Sequence, residues 1–369
     1  MNRVLLTTIL VLAFAPAAAA TPAGAVAQSR PSPPALLAAG LQGGSGSTIG
    51  PGGALYVTEM HAGRISRVDR ETGEVTTYAS GLPPALFHFG GPVDVAFIGS
   101  TAYALVALVG PIFGGGNDAV GIYRVDGPDS FTLVADIGAF SMSNLPPFNP
   151  EKLFSPVGNQ YALVAYRDGF LVTDANHNRV LRVTLDGEIT ELIGWANDVP
   201  PGFGDVVPTG LEVTGNRVYV AQLGPVPHPP QDGKVVAFEF GSSIATDVAS
   251  GARMVIDVER GRGRTLLAIS HGDPGGPEFF PATPNTGDLL QIADDGTFAV
   301  LLEDELSQPT SLEVVGNTAY VVTYSGEIWR IDDVVKPPAR RGAIVLPPGR
   351  STTGTRSPTG SAGTSGGPR

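Results

Sequence analysis

Two aspartates hold the same place in a recurring thirteen-residue pattern. Asp94 is third in PVDVAFIGSTAYA (92–104) and Asp257 is third in VIDVERGRGRTLL (255–267). Carboxylates lining a water-filled channel take hard cations through oxygen. The pair is therefore the candidate metal site, with a divalent cation (Ca or Zn) as its cofactor; the competing reading is a pair of hydrogen-bonded or solvated aspartates. A second polar set begins two residues past the pattern's end: Glu59, Asp174 and Gln222, with His61, Asn176, His177, Asn178, His271 and Asp273 nearby. Carboxylates, amides and imidazoles can ligate a metal or move a proton. They are also what caps and solvates any loop entrance, and that is the expected role of each histidine taken singly. The set supplies candidate ligand-binding residues, and no catalytic residue can be named within it.

Several chemistries are excluded. The chain has no cysteine, so there is no disulfide, zinc–thiolate site or thiol nucleophile. Neither an HExxH zinc motif nor a GxxxxGK[ST] phosphate loop occurs. The sole GxSxG, at 363–367, lies in a tail without the strand–turn–helix context that would make its serine nucleophilic.

Repetition defines the elements that must carry these residues. Residues 208–220 read PTGLEVTGNRVYV and 309–321 read PTSLEVVGNTAYV, identical at nine of thirteen positions. The segments at 45–57, 92–104, 160–172 and 255–267 fit the same frame: an apolar or alternating run, a glycine-containing turn, and a second apolar run. Each predicts two strands joined by a tight hairpin. Six copies recur at a spacing of roughly 50 residues, in the range of propeller blades. Further apolar runs follow most copies, such as GRISRVD (63–69) and NRVLRVTL (178–185), completing four strands per blade. The last copy ends on EIWRID (327–332), one strand short. LLAAGL (36–41) resembles YASGL (78–82), the fourth strand of the first blade, and is expected to close the last one. Closure of this kind removes an exposed sheet edge. The fold class is all-β, a six-bladed β-propeller with a three-plus-one final blade.

Turns within strand pairs one–two and three–four are short and emerge on one face. The connections at 110–118, 224–233 and 270–287, and those between blades at 83–91, 139–159 and 196–207, are long and emerge on the other. Long loops are disproportionately functional, so this face is the expected ligand site. Its alternative role is a packed cover over the channel mouth.

Residues 1–27 carry Arg3, an apolar core and small-residue cleavage sites after Ala20 or Ala27, as a secretory signal peptide does. That core is shorter than the ~20 residues needed to span a bilayer. A linker (28–34), the propeller (35–335) and a Pro/Gly/Ser/Arg-rich tail (336–369) complete the organisation. The tail lacks acidic residues and the means to bury a core, and is expected to be disordered. The body, 35–335, has 15 basic and 35 acidic residues, a net −20 within a chain of −12. Such a body repels nucleic acid and anionic lipid. The expected partner is a small molecule or a protein at the long-loop face, with no nucleic acid and no membrane span. The expected state is a secreted or periplasmic monomer.

Phrases across about 34–335 resemble the ScyD/ScyE family of secreted bacterial propellers: YALVALVG (103–110), VADIGAFSMSNLP (134–146), NQYALV (159–164) leading to VTDANHNRVLRV (172–183), and GPVPHPP (224–230) after VYVAQL. An acidic residue often follows the family's LYV phrase. Glu59 keeps it; the fourth blade has Gln222, and the fifth offers Ala268 or Ile269. The proline of the family's N-P-Y is Gln160 here. Residues 174–178 also resemble NHL repeats, which mostly mediate binding. The resemblance implies a fold and export but no established reaction. The leading reading is a binding or accessory module; the alternative is a metal-dependent lactonase of the gluconolactonase-like kind, which polarises a lactone carbonyl with a channel cation. A structural cell-surface role is a third.

Overall fold

The apolar runs become strands because glycine supplies the turns between them. Gly215 and Gly316, at φ 64 and 67, sit in left-handed turns with open space where a Cβ would project. The computed structural model describes residues 30–146, 155–195, 206–226, 228–275 and 281–335. The leader at 1–27, the tail at 336–369 and parts of four long loops lie outside the described residues.

Blade one comprises β2 (Gly44–Ile49), β3 (Leu55–Glu59), β4 (Arg64–Val68) and β5 (Val75–Ser80). Blade two comprises β6 (Gly91–Ile98), β7 (Thr101–Ala107), β8 (Gly121–Gly127) and β9 (Ser130–Asp136), and blade three β10 (Gln160–Tyr166), β11 (Gly169–Asp174), β12 (Arg179–Thr184) and β13 (Ile189–Gly194). Blade four comprises β14 (Pro208–Thr214), β15 (Arg217–Gln222), β16 (Gly233–Glu239) and β17 (Thr246–Ala252), and blade five β18 (Val255–Arg260), β19 (Leu266–Ser270), β20 (Gly287–Ile292) and β21 (Phe298–Leu306). Blade six joins β22 (Pro309–Val315), β23 (Thr318–Thr323) and β24 (Ile328–Asp332) to β1 (Ala35–Ala38), which pairs antiparallel with β24. The innermost strands β2, β6, β10, β14, β18 and β22 each touch the next, and β22 touches β2. The fold is a six-bladed β-propeller closed by its N-terminal strand.

Each seam between blades has its own apolar core. Leu105 and Ile122 meet Phe170 and Val172 between blades two and three; Ile256 and Ile269 meet Leu312 and Val321 between five and six. Leu55 and Val57 meet Tyr320 and Val322 where the ring closes. Burial of these faces, at roughly 25 cal/mol per Å² of apolar surface, stabilises the ring.

Three details differ from the sequence reading. The closing strand is Ala35–Ala38 rather than 36–41; a register shift follows Leu36, and Leu41 makes only one further bond, to the Gly326 carbonyl (3.1 Å). The connection expected to be irregular at 139–159 begins with a short helix α1 (Ile137–Ser143), because Asp136 caps it by accepting from the Ala139 N–H (2.8 Å). The fifth-blade hairpin is one residue longer than the frame assumed, so Ser270, not Ala268 or Ile269, stands where Glu59 and Asp174 stand in their blades. Among the described residues, no helix is long and apolar enough to cross a membrane.

Candidate functional site

The six innermost strands present their third residues as Gly46, Asp94, Ala162, Gly210, Asp257 and Ser311 when aligned by pairing. The order Gly–Asp–Ala repeats as Gly–Asp–Ser on the opposite half of the ring. This explains why Asp94 and Asp257 lie on opposite blades. Both do the same structural job. Asp94 accepts from its neighbour Val95 N–H (2.8 Å) and from Leu163 N–H (2.6 Å) on the next blade. Asp257 accepts from Val258 N–H (2.9 Å) and from Leu312 N–H (2.8 Å) on the next blade. The glycine in front makes room: a Cβ on Gly46 would fall on Asp94 Oδ1, and one on Gly210 on Asp257 Oδ1. Burial pushes Asp94 well above the usual carboxylate range, against the pull of its two N–H donors. Burial likewise pushes Asp257 up to about 7, with the donors opposing it.

These strands enclose a cavity of about 290 Å³. Tyr161, second in β10, reaches across the channel and donates its hydroxyl to the Thr310 carbonyl on the opposite blade (2.7 Å). Burial and then the two aspartates raise the Tyr161 pKa well above its ordinary value, so the phenol keeps its proton and the bond persists. The lining runs from Tyr161 and Thr310 to Ile49, Phe97 and Ala165, and among the described residues it includes none of the long loops. The cavity thus lies on the hairpin side of Tyr161.

Its two halves differ. At the fifth position, blades four, five and six carry Glu212, Glu259 and Glu313, whereas blades one, two and three carry Thr48, Ala96 and Val164. All three glutamates are half-buried, and burial raises each pKa. For Glu259 the next causes are Glu313, Glu212 and Asp257; for Glu313 they are Asp257, Asp94 and Glu212. Glu212 is relieved by Thr214, by the Val213 N–H and by the charge of Arg260. No lysine, arginine or histidine lines the cavity among the described residues. Three carboxyls on one side, facing Thr48, Ala96 and Val164, can hold a polar or cationic group with its less polar part across from them.

The second polar set is dispersed at the other end of the blades. Glu59 is fully buried and takes two bonds from Arg64 (both 2.7 Å), one from Ser66 and one from Gln42 N–H (2.7 Å). Burial opposes its charge, but these donors outweigh burial and hold the carboxyl below its usual range. Asp174 is its counterpart in blade three. Burial opposes its charge too, and His177, Arg179 and the Asn159 N–H overcome it. His177 Nε2 lies 3.1 Å from the Ser155 carbonyl, and its Nδ1 stands between Asp174 Oδ2 (3.1 Å) and Arg179 Nη2 (3.0 Å). Arg179 also binds Asp174 (3.2 Å), Ser141 (2.9 Å) and the Asn144 carbonyl (2.8 Å). Asn176 accepts from Ser155 N–H (3.0 Å), and Asn178 from Val207 N–H (3.0 Å).

His271 is fully buried: Nδ1–H donates to the Pro309 carbonyl (2.7 Å) and Nε2 accepts from Ala282 N–H (3.1 Å). Burial pulls its pKa down to about 4, fixing it as neutral. Of the solvated or capping role expected for each histidine, His177 and His271 are not solvated: both are buried and bond to loop backbone. His61 is exposed, edge-on to Tyr324 at 6.2 Å. Asp273 shares Arg253 with Asp288 and Asp304 (3.2, 2.8 and 2.8 Å). Gln222 is buried, and among the described residues its amide has no hydrogen-bond partner.

The metal expectation can be tested on these groups. Among the described residues, no three His, Asp or Glu side chains stand close enough together to hold a metal ion. Asp94 and Asp257 also spend an oxygen each on a neighbouring blade. The described carboxylates and imidazoles do not make up a three-ligand cation site by themselves.

No family model and no curated protein sequence matches the chain. Solved structures do resemble it. The PQQ-bound aldose sugar dehydrogenase of Streptomyces coelicolor matches with a TM-score of 0.54 at 16% identity, covering 81% of this chain and 96% of that one. The gluconolactonase XC5397 of Xanthomonas campestris matches with 0.52 at 13%, covering 80% and 88%. A glucose dehydrogenase-like oxidoreductase of Thermus thermophilus matches with 0.51 at 15%, covering 81% and 99%. These neighbours share the six-bladed propeller with this chain, and at such identities they share the fold alone.

Sequence reasoning missed Tyr161 and the three glutamates. The signal was present in the repeated PTxLEV phrase. Its Glu lies two residues past the third position, and so on the same side of the strand as Asp257.

Proposed function

We propose that this protein is an exported binding module, akin in role to the ScyD/ScyE propellers, and that its ligand sits in the channel cavity. The observation that carries the reading is the cavity on the hairpin side of Tyr161, with Glu212, Glu259 and Glu313 on blades four to six opposite Thr48, Ala96 and Val164 on blades one to three. Enclosed pockets with a few convergent polar groups are the usual form of small-molecule sites. The leader-like residues 1–27 support export. The lactonase alternative rests on the likeness in fold to XC5397, and the side chains do not supply its three-ligand cation site.

A thermal-shift screen of small molecules against the natural protein and Ala165→Trp, which fills the cavity, tests the reading. Ligands that stabilise the natural protein should lose their effect in the variant. Ligands that stabilise both equally bind elsewhere and would overturn it. Hydrolysis of glucono-1,5-lactone that needs added Ca²⁺ and disappears in Asp94→Asn and Asp257→Asn would favour the alternative.

A further inference from the structure

The cavity's two walls constrain what it can hold. Five carboxyl groups face it: Asp94, Asp257, Glu212, Glu259 and Glu313. Asp94 and Asp257 are more than nine-tenths buried, and among the described residues the groups that donate to them, backbone N–H groups and the Ser311 hydroxyl, carry no charge. Glu259 and Glu313 form no ion pair among the described residues; a backbone N–H, of Arg260 and Ile49 respectively, stabilises the charge of each. Like charges this close destabilise one another, and removal from water adds to the cost. A positive ligand reverses both effects. A small metal ion would need three converging ligands, which these groups do not provide. It would also leave Ile49, Ala96, Phe97, Val164 and Ala165 facing water, across a space of about 290 Å³.

We infer that the channel cavity binds an organic ammonium ion with an apolar body, its N–H groups on Glu259 and Glu313 and its hydrocarbon against Phe97 and Val164. The inference rests on the channel-binding reading above and adds the class of ligand. Tyr161 closes the far end through its bond to Thr310, so the ligand enters from the hairpin face. Glu259 and Glu313 lie nearer that entrance than the aspartates do, and they meet the ammonium first. Binding is coupled to proton loss: the raised glutamates hold protons in the empty cavity and release them to make way for the cation. The groups that bear on this titration are the five carboxyls, Tyr161 and, from outside, Arg260 beside Glu212.

The test compares 4-phenylbutylamine with 4-phenylbutanol, which share a hydrocarbon and differ in charge, by calorimetry on the full chain. At neutral pH the amine should bind at least about tenfold more tightly, as expected for charge-assisted hydrogen bonds. Its advantage should shrink on acidification, as the carboxyls take up protons. The double variant Glu259→Gln/Glu313→Gln should fold, since it loses mutual repulsion, and should bind both compounds alike. Equal affinities in the natural protein, or an amine preference that survives in the double variant, would overturn the cation assignment and leave the cavity reading intact. Failure of both compounds to bind would overturn the two together.

Discussion

Asp257→Asn should cancel much of the stability that the protein loses as pH rises from about 4.5 to about 7.5. An unfolded aspartate titrates near pH 3.9, whereas burial pushes folded Asp257 up to about 7. The folded state therefore keeps this proton longer than the unfolded state does. Its stabilising contribution is whole below the unfolded pKa, declines as pH rises, and is gone above the folded pKa. At about 1.4 kcal/mol per pH unit, the interval from about 4.5 to 7 amounts to ~3 kcal/mol. Asparagine cannot ionise, so it escapes this loss. It keeps an acceptor for one of the two N–H groups, Val258 or Leu312, and fails the other, a roughly constant penalty of about 1–2 kcal/mol. Asp94, Glu259 and Glu313 titrate in both proteins and largely cancel in the difference; loss of the Asp257 charge also eases Glu259 and Glu313, which moves the difference the same way. Urea unfolding at the two pH values measures it. The difference in stability should move by ~3 kcal/mol in the variant's favour as pH rises. A difference that stays constant, or moves the other way, would refute a protonated, seam-bridging Asp257.

Three other outcomes follow from the packing. Gly210→Ala places a methyl on Asp257 Oδ1 and should cost about 1–3 kcal/mol in denaturant unfolding; the cost should fall in an Asp257→Gly background, because the two residues compete for one space. Arg179→Met should cost about 3–5 kcal/mol, since it strands the buried Asp174 carboxylate and unties Ser141 and Asn144; Asp174→Asn in the same chain should restore part of it. Deletion of Ala35–Ala38 strips β24 of its only outer neighbour and should lower the melting temperature of the whole ring, measured by calorimetry, because an open edge strand also invites aggregation.

Blade number, closure and the opposition of Asp94 to Asp257 were legible because each depends on repetition along the chain, which a single sequence displays. The site was less so. Glu59 and Asp174 have the residue types of a binding site, but their partners Arg64 and Arg179 stand opposite them on the next strand, and pairing turns each into a buried tie. Nothing near Tyr161 in sequence announces that its hydroxyl meets Thr310, 149 residues away. The glutamates were hidden by their regularity. In PTGLEV and PTSLEV they read as the polar half of an alternating strand, and only the ring brings three consecutive blades' copies to one wall. The one-residue difference in the fifth hairpin shows the limit of an ungapped frame: pairing, not spacing, identifies Ser270 as the residue equivalent to Glu59.

Crystals of the protein soaked in 4-phenylbutylamine would show where the ligand lies. The account predicts difference density between Glu259, Glu313 and the Phe97–Val164 wall, ending at the Tyr161 ring, with the Tyr161–Thr310 bond intact. Density among the long loops beyond Tyr161, with an empty cavity beneath, would contradict it.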